Sequence, residues 1–342
     1  MEQVTPEICG LGMLNKSRPQ QLDDILKLFS DKGLNVHKLT FFKSKILKFL
    51  HILFYLPVRL RYYNVIHMQA HSYLNIVAVI LALFWSKILN KKLIVYYCGG
   101  AAKSFFSEYP KLVKSVYSSV DLVVVSNKYI WNEFLKLDIK SEIIPHIMNS
   151  DLFKYKERNE LKPRLLWVRH LRNEYNPMLL IEVFKKIKSI YPETQLKIIG
   201  DGYLREKIIN TIKEENINGI EVMGYIDRDC LMEYFNWADI FLNTTNIDNQ
   251  PVSVLEAMKC GLPVVSTDVG GIPELITHRE NGLLSPENDA DKMAKNIDLL
   301  LRESKLGSDL SRAGNEFVEN TCSSKIIFAK WSIVYQKLGF KL

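Results

Sequence analysis

Short apolar runs alternate with stretches of helical periodicity along the whole chain, the pattern of parallel sheets covered by helices on both faces. In the first half the runs predict strands near Glu7–Gly10, Val36–Leu39, Val65–Met68, Lys92–Tyr97, Leu122–Ser126 and Ile143–Pro145. Between them, periodic segments predict helices near Gln20–Lys32, Lys43–Leu56, Tyr73–Leu89, Pro110–Ser118 and Tyr129–Leu137. The stretch "MNSDLFKYKERNELKP", Met148–Pro163, is polar and aperiodic and reads as a linker. A second series follows, with strands near Leu165–Val168, Gln195–Ile199, Ile220–Met223, Ile240–Asn243 and Pro263–Ser266. Its helices fall near Met178–Tyr191, Leu204–Glu215, Asp229–Asn236, Pro251–Cys260 and Asp289–Arg302, and "SSKIIFAKWSIVYQKL" predicts a last one. The architecture expected is α/β, with two Rossmann-like doubly wound domains, residues 1–155 and 156–320, facing a central cleft where a ligand would lie beyond the strand ends.

Composition changes little in this picture. The 342 residues are 47% hydrophobic and 24% charged, an ordinary globular balance. The longest apolar run, Ile76–Trp85, falls well short of the roughly 20 residues a membrane span requires and suits a helix laid against a sheet. The opening "MEQVTPEICGL" carries acids and a proline where a secretory leader would be basic and then apolar. Cys9, Cys98, Cys230, Cys260 and Cys322 are scattered without metal-ligand spacing, as expected of reduced thiols in a cytoplasmic protein.

Charge is more informative. Residues 1–150 hold 19 Lys and Arg against 10 Asp and Glu, and no acid occurs between Asp31 and Glu108. In Lys38–Tyr63, "KLTFFKSKILKFLHILFYLPVRLRYY", basic and apolar residues interleave. That suits peripheral contact with an anionic membrane, or equally a half-buried helix with a solvated basic face. No nucleic-acid-binding signature accompanies it.

The stretch with most chemistry is "DNQPVSVLEAMKCGLPVVSTDVGGIPELI", Asp248–Ile276. Pro251 suits a first helical position, with Asn249 or Gln250 as cap. The N–H groups of Val252, Ser253 and Val254 then form a helix start suited to phosphate. Glu256 lies one turn on from Val252, on the same face, where a carboxylate can accept two hydrogen bonds from a ribose diol. Asp248 can reach hydroxyls at the far end of the same ligand. A nucleotide-sugar has these groups in this order. Taken alone, Glu256 reads first as a buried capping or pairing acid.

This stretch resembles the E-x7-E region of the retaining glycosyltransferases of family 4, the group 1 glycosyltransferases with the GT-B fold. "PETQLKIIGDGYLREKI", "IEVMGYI" and "YFNWADIFLNTT" are similar to further segments of that family. "NVIHMQAHSYL" and "DLVVVSNKYI" are weaker matches, and the last helix, carrying Trp331, resembles one that returns to the N-terminal domain, here 321–342. The resemblance implies a hexosyltransferase-type enzyme that needs no metal or other cofactor. Asp248 and Glu256 would be the catalytic acids, and Gly224 and Tyr225 would lie against the nucleotide base. It also implies same-face substitution, with the leaving diphosphate helping to deprotonate the acceptor. A lipid-linked or cell-surface glycan acceptor, as in polysaccharide or lipopolysaccharide biosynthesis, fits the basic N-terminal half.

The sequence departs from the family pattern in three places. The leading Glu of E-x7-E is Asp248. In "WVRHLRNEYNP" His170 and Tyr175 stand where the family's Arg and Lys hold the diphosphate, so Arg169 or Arg172 is expected to supply that charge. The turn after the first strand, with Gly10 and Gly12, matches the family's acceptor loop only weakly. Other acceptor-side candidates are His67, Gly99, Gly100 and Lys103. "DRD" at Asp227–Asp229 looks like a metal motif but stands between a strand and a helix, where Asp is a routine cap. Two other readings stay open: a different GT-B enzyme such as a nucleotide-sugar epimerase, and a non-catalytic nucleotide-sugar-binding protein.

Overall fold

The computed structural model describes residues 5–13, 21–41, 51–148 and 152–342. Residues 42–50, most of the predicted helix Lys43–Leu56 and part of the basic stretch Lys38–Tyr63, lie outside the described residues, as do 149–151 of the linker. The chain divides into two compact units, Met1–Ile147 with Ser324–Leu342, and Met148–Ser323.

In the first unit six parallel strands stand in the order β2-β1-β3-β4-β5-β6. They are β1 (Ile8–Met13), β2 (Val36–Phe41), β3 (Val65–Ala70), β4 (Lys92–Tyr97), β5 (Leu122–Val125) and β6 (Glu142–Ile143). Strand β3 is buried at every residue and β4 at every residue but the first, as expected of strands covered on both faces. Gly10 lets the covering helix approach closely. Any Cβ there would run into Leu26 of the helix Gln21–Asp31. The helix Ser324–Lys337 belongs to this unit, where Ile327, Trp331 and Tyr335 complete a core with Ile8, Val65, Ile94 and Tyr96. The helix Ala102–Glu108 is not expected from periodicity, and after the undescribed segment the chain makes a π turn, His51–Tyr55, running into the short helix Leu56–Leu60.

The second unit holds β7 (Arg164–Val168), β8 (Gln195–Ile199), β9 (Ile220–Gly224), β10 (Ile240–Asn243), β11 (Val264–Thr267) and β12 (Leu283–Ser285). Their order is β12-β11-β10-β7-β8-β9, all parallel. The order reverses between β7 and β10, so the loops leaving those two strands part to opposite sides and open a crevice at their carboxyl ends. The predicted linker is not loose throughout. Phe153 is fully buried, and the buried Arg158 guanidinium donates to the carbonyls of Phe235 (2.7 Å), Ala238 (3.2 Å) and Cys260 (2.6 Å). The polar composition of that stretch conceals a tether whose partners are backbone groups elsewhere in the chain.

Candidate functional site

The crevice of the second unit is built from three strand exits. Beyond β7 the Arg169 amide donates to the Ile199 carbonyl at 3.0 Å, and the Gly200 amide to the Gly224 carbonyl at 2.8 Å. Gly200 has φ +140°, and a Cβ there would run into the Arg169 carbonyl oxygen. The loops therefore approach as closely as backbone allows.

Arg169 projects into this crevice. Its guanidinium forms an ion pair with Asp248, from the loop after β10, and lies 4.4 Å over the ring of Tyr175. Its Nε is buried and has no hydrogen-bond partner. Burial lowers its pKa, opposed by Tyr175 and Glu256, yet an arginine starts so high that it stays a cation. Of the two arginines expected to replace the family's basic pair, Arg169 is the one at the acids. Arg172 is exposed. His170 stacks on Tyr175 with its Nδ1 3.3 Å from the Asp201 carbonyl.

Asp248 is fixed through its backbone. Its carbonyl accepts from the Gly271 amide at 2.9 Å, its Oδ1 accepts from the Asn249 amide at 2.8 Å, and Gly270, at φ +58°, leaves room for its carbonyl. The helix that follows is Val252–Lys259. Pro251 is extended, with φ −65° and ψ 115°, and is itself the cap residue, rather than the first helical residue behind an Asn249 or Gln250 cap. The amides of Val254 and Leu255 return to the Pro251 carbonyl at 3.1 and 3.3 Å. The outward donors of this start are thus Val252 and Ser253, and Val254 drops from the set. Asn249, Gln250 and Ser253 are buried beside them, and the buried Ser253 Oγ has no hydrogen-bond partner.

Glu256 is only 5% exposed. Its Oε1 accepts from Arg228 Nε at 3.0 Å. Arg228 is the middle residue of Asp227–Asp229, and Asp227, at the cap position of the short helix Arg228–Cys230, makes no side-chain cap. Asp227 thus takes the expected cap position without a side-chain hydrogen bond, and the arginine between the two acids is the residue joined to the site. Nothing in the sequence spacing links Arg228 to Glu256, 28 positions away. Gly224, at φ +74°, closes β9, and the half-exposed Tyr225 follows it.

The residues expected on the acceptor side all lie in the first unit. His67 is a core position. It is fully buried, its ring 4.6 Å from that of Trp331 and its Nδ1 3.3 Å from the Tyr335 hydroxyl, and burial pushes its pKa down to about 3. Gly10 serves helix packing, and Gly12 pairs with Thr40 within the sheet. Gly99 sits tightly against Ser72 and Tyr97, whereas Gly100 borders open space and Lys103 is exposed. Gly100 and Lys103 alone among these could meet a ligand without repacking.

Residues 149–317 match the family described as "Glycosyl transferases group 1". An uncharacterized glycosyltransferase of Haemophilus influenzae is 30% identical over 165 residues, 48% of this chain and 46% of that protein. The amylovoran biosynthesis glycosyltransferase AmsK of Erwinia amylovora is 30% identical over 186 residues, 52% and 45% of the two chains. The chain spans about half the length of these curated relatives. N-acetyl-alpha-D-glucosaminyl L-malate synthase of Bacillus anthracis is 24% identical over 70% of this chain and 71% of its own. Among solved structures, sucrose-phosphate synthase from Thermosynechococcus elongatus superposes with a TM-score of 0.80 at 17% identity, over 97% of this chain and 99% of that one. Anabaena HepE in complex with UDP-glucose gives 0.77 at 14% identity, over 97% and 100%. These likenesses give the fold, GT-B. Over residues 149–317, just under half of its length, the chain matches the group 1 glycosyltransferases.

Proposed function

We propose that this protein is a retaining glycosyltransferase that moves a hexose from a nucleotide-diphosphate donor to a lipid-linked or cell-surface glycan acceptor. One observation carries the reading: two acids and a buried arginine, Asp248, Glu256 and Arg169, converge on a helix start with open amides at the point where the strand order reverses. Glu256 holds the ribose diol, the amides of Val252 and Ser253 receive the diphosphate, and Asp248 binds sugar hydroxyls. Arg169 exchanges part of its pairing with Asp248 for a phosphate oxygen, which its unused Nε can also reach. Cleavage of the bond from the anomeric carbon to the diphosphate puts charge on the departing oxygen, where these donors act without a metal. The acceptor oxygen bonds to the same face, and its proton passes to the diphosphate.

Named relatives support the donor and acceptor classes. HepE is described with UDP-glucose, and pneumococcal O-GlcNAc transferase GtfA with UDP and GlcNAc. AmsK is named for amylovoran and WcaL for colanic acid biosynthesis. No helix among the described residues is long and apolar enough to cross a membrane, so a cytoplasmic enzyme would meet a lipid-linked acceptor by peripheral contact through Lys38–Tyr63. The test is a thermal-shift panel of UDP, GDP, ADP and TDP on the wild type and on Glu256→Gln. A nucleotide at about 100 times its dissociation constant stabilises by roughly 2.7 kcal/mol, a shift of a few degrees. One base should stabilise the wild type and lose its effect in the variant. Stabilisation by none sinks the donor assignment.

A further inference from the structure

The helix Asn75–Ile88, "NIVAVILALFWSKI", carries a single charged residue, Lys87. A helix apolar all round belongs inside a core or a bilayer, and the sequence predicts it buried against the sheet. Only one side of it is. Ile76, Val79, Ala82 and Ser86 face β3 and β4, while Val77, Ile80, Phe84 and Ile88 form a stripe between 38% and 56% exposed. Positions 77, 80, 84 and 88 share one face, about 16 Å long. The turn His51–Tyr55 packs beside this helix, and Phe54, Tyr55, Val58 and Tyr62 extend the exposed apolar surface. At the far end Lys91 Nζ donates to the Arg61 carbonyl at 3.3 Å.

The rim of this surface is predominantly basic. Arg59, Arg61 and Lys91 stand around it, Lys87 adds a fourth cation that pairs with the largely buried Asp121 at 3.9 Å, and residues 32–107 contain no acid at all. From these observations we infer that the outer face of Asn75–Ile88, with Phe54, Val58 and Tyr62, docks on an anionic lipid surface, the apolar stripe entering the headgroup layer and the cations meeting lipid phosphates. A second copy of the chain is the poorer occupant, because an isologous contact sets this basic rim against itself. The inference rests on the proposed membrane contact for its occupant and moves the apolar anchor from Lys38–Tyr63 alone to this helix.

The experiment is flotation of the full chain with vesicles of phosphatidylcholine, with and without phosphatidylglycerol, at low and high salt. The full chain should float with the anionic vesicles only, and less at high salt. Ile80→Gln with Phe84→Gln, both at exposed positions, should keep the unfolding midpoint and lose vesicle affinity by about tenfold or more. Binding to anionic vesicles that the double variant leaves unchanged overturns the inference while leaving a contact through Lys38–Tyr63 standing. Failure of the full chain to float overturns both membrane readings, and nucleotide stabilisation of the same sample reports separately on the donor site. Self-association that the double variant abolishes, without vesicle binding, assigns the face to a second copy and overturns the inference.

Discussion

Arg228 reaches Glu256 through a charge-assisted hydrogen bond of 3.0 Å, in a place where the two side chains are nearly shut off from water. Removing one member of such a pair leaves the other charge buried and uncompensated. Arg228→Met should therefore cost about 3 kcal/mol in urea unfolding, and Glu256→Gln in the same background should recover part of it. A double-variant loss equal to the sum of the two single losses would show that the pair contributes nothing. Asp248 and Glu256 were legible in the sequence because their spacing around a proline-led helix is a local pattern. Arg169 was legible as a surplus cation next to two missing ones. Arg228 was not, since "DRD" draws the eye to its acids and the arginine's partner comes from another loop.

Most elements were legible because parallel strands buried on both faces are short unbroken apolar runs, and β4, β8 and β10 fall where such runs predict them. The exceptions share a cause. The helix Ser304–Cys322, "SKLGSDLSRAGNEFVENTC", has two glycines and few apolar residues. Its glycines are tertiary features: a side chain at Gly307 would crowd Leu161, and one at Gly314 would press on Met258. Strand β12 has three residues, too few to show a period. Loop glycines give a test at this scale. Gly200→Ala and Gly270→Ala each combine a positive φ with a Cβ driven into a carbonyl oxygen, of Arg169 and Asp248 respectively. Each should destabilise by about 1–3 kcal/mol and weaken nucleotide stabilisation. Gly100→Ala, with nothing within 4 Å of its Cβ, should stay within about 0.5 kcal/mol. If all three variants unfold alike, the close approach of the strand exits is not what holds the crevice.

At the scale of the whole chain, the two units differ in how they meet acid. His67 and His146, both in the first unit, are buried with pKa values pushed down to about 3 by desolvation, aided at His146 by His71. His71 is itself lowered by burial. In the unfolded chain these groups titrate near 6.5. Between about pH 6.5 and 3 the unfolded state thus binds protons that the folded first unit refuses, so stability is full above pH 6.5 and falls as pH falls. Each histidine contributes a slope of up to about 1.4 kcal/mol per pH unit in that window. In the second unit His170 sits at the crevice, and burial and Lys292 lower the pKa of the partly exposed His278. Acid should accordingly unfold the first unit while the second keeps its sheet. Urea midpoints at pH 7.5 and pH 5 measure this directly. The wild type should lose about 2 kcal/mol or more between them. His67→Gln with His146→Gln, weaker at pH 7.5 because both sites are packed against aromatic rings, should lose much less on going to pH 5. A double variant that loses as much as the wild type would place the acid sensitivity elsewhere, on carboxylates paired in the folded state. The donor site should then fail at the same pH as the first unit instead of outlasting it.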